Sequence, residues 1–158
     1  MYRTIADFTR DWAYERSATG KVLGALTEGA MGVAVRPGGR TLGRIGWHIV
    51  ETLTEMTGEA GLTVAGSSAG DLAGAYAEVS GRLGEVVAAE WTDGMLLEEV
   101  PMYGERWTRG QVLGALVKHE AHHRGQMTVL MRQAGLRVPG VYGPAEEEWG
   151  EMGMAAQG

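Results

Sequence analysis

Apolar residues recur along this chain at spacings of three and four, and four stretches hold the pattern long enough to predict amphipathic helices. Ile5, Phe8, Trp12, Thr19, Val22, Leu23 and Leu26 stripe a helix over about residues 3–27. Gly29 to Arg40, with Pro37-Gly38-Gly39 inside it, interrupts the pattern as a loop. Thr41 can cap a second helix that runs to about Thr57, striped by Leu42, Ile45, Ile49, Leu53 and Met56. A glycine- and serine-rich link leads to a third helix over about residues 69–92, with Leu72, Tyr76, Val79, Leu83, Val86 and Val87 on its apolar face.

The segment LLEEVPMYGERW has extended character and a Tyr-Gly turn, which predicts a short β-hairpin. Thr108 and Gln111 have capping-box spacing, so a fourth helix starts near Arg109, and Gly135 ends it. The tail, residues 136–158, is turn-rich with a short helix around Glu146–Trp149. The pattern predicts an all-α fold: one four-helix-bundle domain over residues 1–158, with a hairpin before the last helix.

Composition narrows what such a bundle does. The net charge is −6 and the basic residues are scattered singly, which argues against nucleic acid as a partner. No apolar run reaches the length of about 18 residues that a membrane helix needs, and the N-terminus lacks an unbroken apolar region. There is no cysteine. A cytoplasmic location fits, and neither a thiolate ligand nor a cysteine nucleophile is available.

Three of the four histidines fall within KHEAHHRGQM, residues 118–127. At about 100° per residue, His123 lies in the middle of the fourth helix's core stripe, His119 at its edge and His122 off to the side. Two imidazoles one turn apart and facing inward can share a divalent metal, or they can hydrogen-bond to their neighbours. His48 is the remaining histidine and lies at the flank of the second helix's stripe, while Glu51, Glu55 and Glu120 are the acidic alternatives for a third ligand. The string H-E-x-x-H would make Glu120 the general base of a zinc protease. The extended pattern is absent, however, because Gly125 comes too early and no histidine follows it, and little strand is available to align a peptide.

Trp47-His48, then His119-x-x-x-His123-Arg124-Gly125-Gln126, then Val138-Pro139 and Tyr142-Gly143-Pro144 together resemble the DinB-like (YfiT-like) family of metalloenzymes. The resemblance covers nearly the whole chain. It implies one divalent ion, nickel or zinc, on His48, His119 and His123, with His122 as the alternative to His123. It also implies a homodimer and a small-molecule substrate. Characterised relatives include S-transferases that use low-molecular-weight thiols such as bacillithiol, and thiol-dependent isomerases. The expected function is therefore a thiol-dependent S-transferase acting on an electrophilic small molecule. The alternatives are a hydrolase using metal-bound hydroxide and a non-catalytic bundle with a structural metal or none. Glu120, Arg124 and Gln126 are the candidate catalytic or supporting residues. Glu120 or Gln126 would orient a ligand histidine, and Arg124 would take an anionic cosubstrate group. Tyr103, Trp107 and Tyr142 are candidates to line the pocket.

Overall fold

A computed structural model describes residues 1–155; the final positions of the predicted tail, 156–158, lie outside the described residues. The four helices are α1 (Ile5–Gly24), α2 (Leu42–Glu59), α3 (Leu72–Glu90) and α4 (Arg109–Gln133). α1 and α3 are shorter than their apolar patterns at both ends, and side-chain caps set their starts. Thr4 accepts from the Asp7 amide and Asp71 from the Gly74 amide, each satisfying an amide with no intrahelical partner. α4 begins with the expected capping box, in which Thr108 and Gln111 bond each other's backbone.

Each helix packs on two neighbours. α2 lies against α4 and α3, and α1 against α3 and α4. Helices consecutive in sequence, α1 with α2 and α3 with α4, therefore sit diagonally across the bundle. The long connections 25–41 and 91–108 follow from this, because each must cross one end of it.

The first connection contains a 3-10 turn (Glu28–Ala30) and an antiparallel bridge between Ala34 and Thr41. The second contains another 3-10 turn (Met95–Leu97) and then the predicted hairpin, β1 (Glu99–Met102) paired with β2 (Glu105–Thr108). Its two-residue loop, Tyr103-Gly104, has φ of 49° and 85°, the positive pair that a tight hairpin turn requires. The short tail helix is a single 3-10 turn, Glu146–Glu148.

The core is one continuous cluster in which Phe8, Leu42, Ile49, Leu53, Leu83, Leu113, Leu116 and Met127 are fully buried. Close approach accounts for some of the helical glycines. A Cβ on Gly110 would stand 2.3 Å from the Tyr2 carbonyl oxygen, and one on Gly46 would stand 2.4 Å from a Leu72 methyl. Among the described residues no helix is long and apolar enough to cross a membrane.

Candidate metal centre

The seam between α2 and α4 brings His48, His119 and His123 together. One potential ligand nitrogen from each ring lies within 4.8 Å of the other two. His119 and His123 are one turn apart on α4, so their rings meet on one face, edge to face with centroids 4.4 Å apart. His48 reaches them from α2, with ring centroids 5.0 Å from His119 and 4.8 Å from His123. His123 is buried, and the other two are half-buried. The cluster is therefore rooted in the bundle and open to the surface on one side.

Hydrogen bonds orient the rings. The Gln126 side-chain oxygen accepts from Nδ1 of His123 at 2.8 Å, which turns Nε2 of His123 toward His119. The Thr52 hydroxyl lies 3.0 Å from the Ile49 and His48 carbonyls. A hydroxyl has a single proton, so Thr52 faces Nδ1 of His119, 3.4 Å away, as an acceptor. This network places the proton of both rings on Nδ1 and leaves the two Nε2 lone pairs facing each other 3.1 Å apart. Two lone pairs at that distance repel unless a proton or a cation lies between them. The His48 ring has no hydrogen-bond partner among the described residues.

The environment keeps these rings neutral. Burial pushes His119 down to about 4, and the adjacent His123 and His48 add to the shift. Burial also lowers His48, helped by the positive charges of Arg40 and Arg44. Burial lowers His123 too, with the Gln126 bond opposing it. Neutral imidazole is the form that ligates metal. Metal–nitrogen bonds of about 2.0–2.1 Å put adjacent ligands about 2.9–3.4 Å apart, so the observed Nε2 separation fits a shared divalent ion.

Several sequence expectations change here. Glu120 does not orient a histidine. It is fully buried on the other side of α4, where it accepts from the Thr19 hydroxyl at 2.8 Å and from the Tyr76 hydroxyl at 3.0 Å. A carboxylate held there does not serve as the base of a protease motif. Arg124 is neither a surface residue nor beside the histidines. It is buried and donates to Thr19, Glu15 and Tyr142. Tyr142 belongs to that cluster and donates to Glu15. The acidic candidates for a third ligand are engaged elsewhere: Glu51 pairs with Arg44, and Glu55 accepts from Tyr103 at the hairpin tip. Trp107 donates to Glu105 within its own strand. His122 is exposed, and its Nε2 lies 3.0 Å from the Gln126 amide nitrogen.

Thr19 and Tyr76 lie on apolar stripes legible in the sequence, and Glu15, Glu120 and Arg124, which join them in one cluster, carry a signal of the same kind. Glu120 and Arg124 share their helical phase with Leu113 and Met131, both fully buried, while Glu15 and Thr19 share theirs with Phe8 and Trp12. The buried sector of α4 is wide enough to face both α2 and α1, so polar residues at its second edge are interior.

A four-helix bundle with three imidazoles converging on one seam defines a class of small helical proteins built around a histidine cluster. The DinB family model matches residues 1–154, and the chain belongs to that family. It is 39% identical over 164 aligned residues to the uncharacterised protein YrdA of Bacillus subtilis strain 168, covering 99% of this chain and 98% of that protein. The crystal structure of a DinB-like protein from Bacillus cereus ATCC 10987 superposes with a TM-score of 0.85 at 39% identity, over 90% of this chain and all of that one. A second DinB-like structure, YjoA of Bacillus subtilis, shares the fold at 14% identity with a TM-score of 0.73, over 88% of this chain and 99% of that one.

Proposed function

We propose that this protein is a metal-dependent enzyme acting on small molecules, specifically an S-transferase that joins a low-molecular-weight thiol, such as bacillithiol, to an electrophile. The observation that carries this reading is the trio of neutral imidazoles, with two Nε2 atoms facing each other at 3.1 Å. His48, His119 and His123 would hold one divalent ion, zinc or nickel. Three protein ligands leave coordination positions free for a substrate, unlike a closed structural site with four. When bound, such an ion lowers the pKa of a thiol or water.

The chain's own residues supply the rest. Gln126 and Thr52 fix the tautomers and ring angles of His123 and His119. The half-buried His48 and His119 leave the cluster reachable from solvent. The chain has no cysteine, so the sulfur nucleophile must come from a cosubstrate.

The test is a thiol-consumption assay on metal-loaded protein, using bacillithiol with a chloronitrobenzene electrophile. The expected result is enzyme-dependent thioether formation that His123→Ala abolishes. Turnover of an ester at the same rate with and without thiol would identify a hydrolase instead and overturn the transferase reading.

A further inference from the structure

A cavity of about 380 Å3 opens beside the histidine cluster, between the 35–40 loop and the α2–α4 seam. We propose that it binds a small organic anion with an apolar body, the charge held by Arg36 and Arg40 and the body lying against Val35, Ile45 and Val129. The proposal names the substrate class of the site described above, and so rests on that reading.

Position is the first support. Ile45 lies three residues before His48 on α2, and Gln126 lies three residues after His123 on α4, and both line the cavity. The cavity is therefore about one helical turn, ~5 Å, from the imidazoles on both walls. Gln126 is common to the two sites, since its side chain also holds His123. The clustered histidines do not line the cavity themselves; Gln126 is the residue that touches both.

The lining supplies the chemistry. Val35 and Val129 are 72% and 52% exposed, apolar surface that packing within the chain does not use. Arg36 and Arg40 make no ion pair or side-chain hydrogen bond among the described residues, whereas Arg44, Arg82, Arg106, Arg109 and Arg132 each pair with a carboxylate. Two unpaired guanidinium groups on a chain of net charge −6 form a local positive rim. Planar guanidinium groups suit carboxylate, sulfonate and phosphate oxygens.

The loop is built to hold that rim in place. The Gly39 amide donates to the Arg36 carbonyl at 3.0 Å, Gly38 takes φ 70°, and the Ala34–Thr41 bridge closes the base. This tight turn keeps both arginines on one side, above the apolar floor.

The test compares hexanoate with 1-hexanol, which have the same chain but differ in charge, by calorimetric titration into protein whose metal content is measured in the same sample. Hexanoate is expected to saturate and to bind at least about tenfold more tightly than hexanol. The double variant Arg36→Gln/Arg40→Gln, and separately Val129→Glu, should weaken hexanoate by about the same factor while leaving metal content at the wild-type level. All three residues are exposed, so the fold is not at risk. Hexanoate binding should persist in His123→Ala. The proposal is overturned if hexanoate does not bind, binds no better than hexanol, binds the arginine variant as it binds wild type, or loses binding in His123→Ala, because the last result would make the carboxylate a metal ligand. A wild type without metal that still binds hexanoate through the arginines would overturn the metal reading and leave the pocket standing.

Discussion

Gln126 and Glu120 lie six residues apart on one helix and serve different neighbours, Gln126 the histidines and Glu120 the cluster with α1 and α3. Gln126 acts on the histidines, because its oxygen accepts a hydrogen bond from Nδ1–H of His123 and fixes which nitrogen is free. Replacing such a partner typically costs about 10–100-fold in metal affinity. Gln126→Ala should therefore weaken zinc binding by about that factor in a competition titration, with helicity unchanged because Gln126 is exposed. Glu120 acts on stability. Burial lifts its carboxyl to about 7, against hydrogen bonds from Thr19 and Tyr76 and the charge of Arg124, which pull it down. Between its ordinary value of 4.5 and about 7, the folded state keeps a proton that the unfolded chain has lost. Folding stability from this group is therefore lost as pH rises through that window. Glu120→Gln removes the titration, so its stability relative to wild type should climb from pH 4.5 to 7 and level off above, as read by urea unfolding across pH. A flat difference across the window would show that Glu120 stays ionised in the fold.

At the scale of elements, α4 carries the histidines toward α2 and a buried acid–base cluster toward α1. Arg124 is 2% exposed and bonded to Glu15 and Thr19. Arg124→Met would leave Glu15 and Glu120 without their cation, a loss of about 3–5 kcal/mol for a broken buried pair, measurable by denaturant unfolding. Gly110, in the first turn of α4, is where the N-terminal strand of chain crosses. The Tyr2 amide donates to the Gly110 carbonyl at 3.2 Å, and the Tyr2 oxygen occupies the space of a Cβ. Gly110→Ala should destabilise by about 1–3 kcal/mol because the obstacle is backbone. These elements also mark what could be read from the chain alone. The helices, the hairpin and the inward phase of His119 and His123 follow from spacing, because one side chain in three or four must face a core. His48 sits at the edge of its helix's stripe, and only the resemblance to a family joined it to the other two. The partners of Glu120 and Arg124 on α1 and α3 lie 44 to 109 residues away, and Tyr142 lies in the tail beyond α4, so local pattern did not pair them.

For the whole molecule, the diagonal arrangement of consecutive helices is what makes the site. It puts α2 beside α4, so a histidine near the middle of one meets two near the middle of the other. A cation bound only by the folded chain adds stability of about 2.7 kcal/mol at a hundred times its dissociation constant. The melting temperature should therefore rise with added zinc or nickel and fall back with chelator, and it should not respond when a ligand histidine is missing. The most direct test of the central claim is metal content by mass spectrometry, on untagged protein purified with divalent metal supplied, for wild type and the four histidine-to-alanine variants. About one ion per chain is expected in wild type and in His122→Ala, with loss in His48→Ala, His119→Ala and His123→Ala at unchanged helicity. A wild type without stoichiometric metal, or a His123→Ala that keeps its metal while His122→Ala loses it, would contradict the assignment.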